Sequence, residues 1–151
     1  MIKKVIMFCL SILIVCVGFI GCKPIPDLNK AEEIYQKNQS DIRIVVDYMV
    51  NSKYNSIYIR TKGNTIWADF EDIKVNDSRV VDAINSLIGN DYINIYKDGN
   101  TLCFLQWRRF NNMGAGIVYS IDETSLPKLD YCTTILPMQE SGWYYYLEDA
   151  S

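Results

Sequence analysis

Two glycine-bearing turns constrain what this chain can fold into more than any other feature. Gly63-Asn64 lies between Lys62 and Thr65, and Asp98-Gly99 lies between Lys97 and Asn100. Each is flanked by runs that alternate aliphatic with amphipathic side chains. Short loops of Gly, Asn and Asp supply the positive φ that matches the twist of paired strands, so both are predicted as two-residue hairpin turns. A type II′ turn at Gly63-Asn64 pairs Thr61 with Ile66, Arg60 with Trp67, Ile59 with Ala68 and Tyr58 with Asp69. Side chains alternate along a strand, which puts Ile57, Ile59, Ile66, Ala68 and Phe70 on one face and Tyr58, Arg60, Trp67 and Asp69 on the other. A type I′ turn at Asp98-Gly99 lines up Ile93, Ile95, Leu102 and Phe104. Its opposite face carries Tyr92, Asn94, Tyr96, Thr101, Cys103, Leu105, Trp107 and Arg109.

Both hairpins sort their side chains alike, and the rest of the chain offers material to cover the aliphatic side. Leu28, Ala31, Tyr35, Ile42, Val45 and Met49 recur at helical spacing, with Asn29 and Glu32 as a capping box. The polar patch Asn38-Gln39-Ser40-Asp41 is a candidate break within that helix. A second helix starts at Asn76 or Asp77, turns Val80, Val81, Ile84, Leu87 and Ile88 to one side, and stops at Gly89-Asn90. Further strands are expected near 116–121 and 142–147, with a weaker one near 131–136. The expected fold class is α+β: a two-layer, mainly antiparallel sheet with helices packed on one face.

The first 22 residues follow a different logic. Lys3-Lys4 precede an apolar run of 17 residues, 5 through 21, and Cys22 follows Gly21. A positive start, an apolar core and a small residue at a cut site make a secretory signal. Cys9 follows Phe8 and Cys16 follows Val15, so only Cys22 has a small residue before it. This segment resembles the signal of bacterial lipoproteins, although Phe19-Ile20 departs from their preferred Leu-Ala or Leu-Ser. The resemblance implies cleavage before Cys22 and a diacylglycerol on its thiol, hence a place on the cell membrane facing away from the cytoplasm. The alternative is an uncleaved anchor, for which this run is at the short limit. The implied organisation is a signal peptide over 1–21, a short tether over 22–27 and one α+β domain over 28–151. Gly116-Ile117-Val118-Tyr119-Ser120 and Gly142-Trp143-Tyr144-Tyr145-Tyr146 resemble segments of small exported proteins of low-GC Gram-positive bacteria, a likeness that brings no activity with it.

Cleavage leaves 13 basic against 18 acidic residues, a formal charge of −5 in place of −3. Such a domain is expected to be repelled by an anionic membrane apart from its lipid, and to bind no nucleic acid. Cys103 and Cys132 are the cysteines left over. They are either a disulfide closing a loop of about 30 residues or two separate buried thiols.

The chain contains no histidine. That removes Ser-His-Asp and Cys-His nucleophiles, His-ligated zinc and the commonest general base near neutral pH. Glu71-Asp72, Asp122-Glu123 and Glu148-Asp149 are adjacent in sequence, which on a strand sends the two carboxylates apart. No catalytic residue, metal ligand or cofactor is assigned. The candidate ligand-binding residues are the ring-bearing and basic ones of the open sheet face: Tyr58, Arg60, Trp67, Tyr92, Tyr96, Trp107 and Arg109. Tyr and Trp combine an apolar body with a polar tip and dominate recognition surfaces. Arg60 opposite Trp67 is expected to stack on the indole, and Arg108-Arg109 to grip an anionic group or guard a strand end. A competing reading makes this face a second core layer. The expected function is a membrane-anchored, non-enzymatic binding module for a protein, peptide or glycan. The alternatives are a small acidic protective protein, as immunity lipoproteins are, and a carboxylate-dependent carbohydrate hydrolase.

Overall fold

The computed structural model describes residues 24–109, 113–122 and 125–149; Cys22 and the signal segment lie outside them. In chain order the elements are α1 (Leu28–Val50), β1 (Ser56–Ile59), β2 (Thr65–Ala68), β3 (Glu71–Lys74), α2 (Ser78–Leu87) and β4 (Asn94–Asp98). They continue with β5 (Thr101–Arg108), β6 (Met113–Ser120), β7 (Cys132–Pro137) and β8 (Trp143–Asp149). The eight strands form one sheet, ordered β3-β2-β1-β4-β5-β6-β8-β7, and every neighbouring pair is antiparallel. Two helices and an antiparallel sheet make this an α+β fold. Among the described residues no helix is long and apolar enough to cross a membrane.

α1 is one unbroken helix of 23 residues, capped by Asp27, whose carboxylate accepts the Lys30 N–H at 2.8 Å. Asn29 and Glu32 do not form the expected capping box; Glu32 instead accepts the Gln139 backbone N–H at 2.9 Å. The polar patch fails to break the helix because Asn38 and Gln39 have tertiary partners. Asn38 is buried and donates to the Ile34 carbonyl and to Asp91, while Gln39 donates to Glu140. α2 has Asp77 at its N-cap, and Ile88 follows its last turn.

One hydrophobic cluster unites helix and strand residues. It holds Ala31, Tyr35, Ile42, Val45 and Met49 from α1 and Val80, Ala83, Ile84 and Leu87 from α2. From the strands it takes Ile57, Ile59, Ile66, Ala68, Ile95, Leu102, Phe104, Ile117, Trp143 and Tyr145. Burying a large aliphatic side chain contributes roughly 1.5–3 kcal/mol, so this cluster dominates the stability. A smaller cluster gathers Cys103, Leu105, Val118 and Tyr146, with Tyr96, Leu129, Cys132, Ile135 and Tyr144 packed against it. Along β5 and β8 the two sets alternate, as a period of two requires. Lys97 joins helix to sheet differently: it is buried, and its Nζ donates to the Met49 and Tyr54 carbonyls at 3.0 and 2.8 Å.

Both hairpins differ in register from the expectation by two residues. Tyr58 faces Trp67 and Ile57 faces Ala68, which leaves residues 60–64 as the connection. Tertiary bonds hold that loop open: Gly63 N–H donates to Asn85 of α2 at 2.7 Å, and Val75 N–H to the Asn64 carbonyl. In the second hairpin Asp98 pairs with Thr101 around Gly99-Asn100, and Gly99 adopts φ 53°. An even shift preserves which side chains share a face. Phe70 does change place: Asp69 and Phe70 both have positive φ in the turn to β3, a strand that alternation in the sequence does not mark. Phe70 is 86% exposed there instead of joining the aliphatic face.

Candidate functional site

The strand face carrying the predicted site splits into two places. Tyr58, Arg60, Trp67 and Tyr96 come together near β1, β2 and β4. The Tyr58 and Tyr96 rings stack with centroids 5.3 Å apart and planes 9° from parallel. Arg60 lies over the Tyr58 ring, its Cζ 4.5 Å from the centroid, and not over Trp67 as expected, because the register puts Tyr58 opposite the indole. Trp67 is 41% exposed and meets Phe70 edge-on at 5.6 Å. Tyr58, Arg60 and Trp67 line a groove of ≈460 Å³ whose rim includes Thr61, Thr65 and Asp72. Burial pushes the Tyr96 hydroxyl well above the usual phenol range. Nothing in the local sequence marked Phe70; its exposure follows from the turn backbone.

Tyr92, Trp107 and Arg109 do not join this platform. Tyr92 is buried in the first cluster, because residues 88–93 form a turn before β4 and break the alternation. Tyr92 N–H donates to the Leu87 carbonyl and Gly89 N–H to the Tyr92 carbonyl. Ile93, expected on the aliphatic face, is exposed outside the strand. Trp107 is turned by a β-bulge: Leu105 pairs with Gly116 and Trp107 with Ala115, so Gln106 is an inserted residue. One added residue sends every side chain beyond it to the opposite face. Trp107 therefore packs against the helix-containing cluster, away from Trp67. Tyr92, Trp107 and Arg109 line a second groove, of ≈750 Å³, which Arg60 also reaches.

No protein-family model, no curated protein and no solved structure matches this chain.

What the arrangement can do chemically must therefore come from its own side chains. Cys103 and Cys132 share the smaller cluster as free thiols, so the expected alternative of a bridge is not the arrangement observed. Burial pushes the Cys103 thiol up to about 12, and the half-buried Cys132 thiol lies against the Thr134 and Leu147 carbonyls. Neither is poised as a thiolate nucleophile. Ser125-Leu126-Pro127-Lys128 has the spacing of serine–lysine hydrolases, but it lies in the loop after β6, and the Ser125 hydroxyl is bonded to Asp122. Burial raises the Glu148 carboxyl and Arg108, 3.8 Å away, opposes that shift. Its neighbour Asp149 points to the other face of β8, and Glu71 and Asp72 are split in the same way on β3. Among the described residues, no group of three His, Cys, Asp or Glu side chains is placed to hold a metal ion.

Proposed function

We propose that this protein is a membrane-anchored, extracytoplasmic, non-enzymatic binding module. In this reading Cys22 carries the lipid, both helices cover the aliphatic face in a two-layer domain, and the other face meets the ligand. One observation carries the reading: two large rings, Trp67 and Phe70, stand exposed beside the Arg60–Tyr58–Tyr96 stack. Aromatic side chains have few rotatable bonds and lose little conformational entropy on binding, which is why such groups act as recognition anchors. The groove volume falls in the range of small-ligand sites. Ring faces beside Thr61, Thr65 and Asp72 suit a carbohydrate, whose apolar C–H face lies on the rings while its hydroxyls meet the rim. The protective reading calls for the aromatics to be buried, and Trp67 and Phe70 argue against it.

Calorimetric titration of the full-length protein in detergent with N-acetylglucosamine oligomers and soluble peptidoglycan fragments tests the site. Saturable binding is expected, weakened at least tenfold by Trp67→Ala or Tyr58→Ala and unchanged by Trp107→Phe. No heat from either glycan, with the fold intact by circular dichroism, rules out the carbohydrate reading. The anchor has its own test in palmitate labelling, with Cys22→Ser and globomycin as controls. An unlabelled wild-type protein of unchanged mass dismisses lipidation.

A further inference from the structure

We infer that the second groove binds the phosphodiester headgroups of anionic membrane lipids, so that the domain sits on the bilayer in one orientation. The inference rests on the proposed anchor. The groove is basic in an otherwise acidic chain: Arg60, Arg108 and Arg109 line it. Lys62 lies alongside, its Cε 3.4 Å from where a Cβ on Gly89 would stand. The acidic group in the lining, Asp91, is already satisfied by Lys37 at 2.8 Å and Asn38 at 2.9 Å. Glu148 engages Arg108 only at 3.8 Å, and Arg60 stacks on a ring, so the guanidinium edges stay available to an anion. Arg suits this task because its planar fork matches phosphate oxygens in pairs.

Apolar surface accompanies the charge. Ile25 is 40% exposed and Ile93 45% exposed, and both line the groove beside the Trp107 indole. Cations above aliphatic groups and an indole form the pattern of a surface lying at the headgroup level of a bilayer. The tether that follows Cys22 decides which occupant fits. Pro24 and Ile25 form part of the groove wall, and the Tyr145 hydroxyl donates to the Pro26 carbonyl at 2.9 Å, pinning the tether to the domain. Pro24 follows Cys22 by two residues, a reach of about 7 Å even when fully extended. A lipid on Cys22 thus holds the Pro24–Ile25 wall of the groove close to the membrane surface, on the side where the three arginines line it. The expectation that the acidic domain is repelled from the membrane then holds for its other sides and reverses at this end.

Hydrogen exchange on the full-length protein reconstituted in vesicles tests this. Amides of 88–93 and 106–109 are expected to exchange at least fivefold more slowly in vesicles containing phosphatidylglycerol than in pure phosphatidylcholine. Each cation near an anionic surface is worth roughly a fivefold change in association. The variant R60Q/R108Q/R109Q should lose the protection. R60Q/R109Q, which keeps the Arg108–Glu148 pair, should lose most of it without unfolding, and Arg79→Gln should keep it. Equal exchange in the two lipids overturns the inference, as does equal protection by inorganic phosphate with neutral vesicles, which assigns the groove to a soluble anion. Flotation with neutral vesicles reads the anchor separately. Protein that floats without lipid-dependent protection sinks only the groove, and protein that fails to float sinks the anchor.

Discussion

Several ionisable side chains are buried in their neutral forms, and this ties single residues to stability. Burial pushes the Cys103 thiol and the Tyr35 hydroxyl each up to about 12, and raises the Tyr92 and Tyr146 hydroxyls as well. In the unfolded chain a thiol titrates near about 8.5 and a phenol near about 10. Between those values and the folded ones, the native protein keeps protons that the unfolded chain has lost. The stabilisation from burying these neutral groups is therefore complete below about pH 8.5 and declines as pH rises toward about 12. The urea midpoint should hold steady from pH 7 to about 8.5 and then fall continuously. Absorbance at 295 nm should show the buried tyrosines ionising only as the protein unfolds. A midpoint flat to pH 11 contradicts the assignment.

At the scale of elements, β6 shows how close strand approach depends on missing side chains. Gly116 faces Leu105 where the β5 bulge begins, and a Cβ there would collide with the Phe104 carbonyl and crowd the Leu105 Cα. A Cβ on Gly114 would instead meet the Glu148 side chain, which can rotate away. Gly116→Ala is thus expected to destabilise by about 2 kcal/mol or more, because backbone must move, and Gly114→Ala by less than about 1 kcal/mol. Urea denaturation of the two variants checks the order, and equal losses refute the account. The bulge also explains why the place of Trp107 was illegible in one dimension. Alternation correctly grouped Tyr58 with Trp67 and Ile57 with Ala68, since a shift of two residues leaves parity unchanged. It misplaced Trp107, because one inserted residue, Gln106, reverses parity and no local signal announces it.

Across the whole molecule, the main cluster takes residues from both helices and from the strands between the two edges of the sheet, from Ile66 of β2 to Trp143 of β8. α1 adds polar ties to the β7–β8 connection, where Glu140 receives Gln39 at 2.8 Å and Arg43 at 3.2 Å. A shared core of this kind predicts one cooperative transition. Far-UV dichroism should therefore superimpose on tryptophan emission, to which the buried Trp143 and the exposed Trp67 both contribute. Separate melting of α2 with β1–β3 would show two independent units instead.

The sequence by itself determined both helices, every strand but β3, and their polarity. Helical spacing marked α1 and α2, glycine-bearing turns marked two hairpins, and alternation marked which strand residues are oily, because these follow from backbone periods of 3.6 and 2. Only the tertiary structure decided register, the bulge and the split of the site. Those depend on contacts between residues far apart in the chain: Gly63 with Asn85, the strands crowding Gly116, and Tyr92 folding back under α2. Such contacts leave no periodic trace, so the platform at Tyr58 and Trp67 and the basic groove at Arg60 and Arg109 became distinct only once the sheet was assembled.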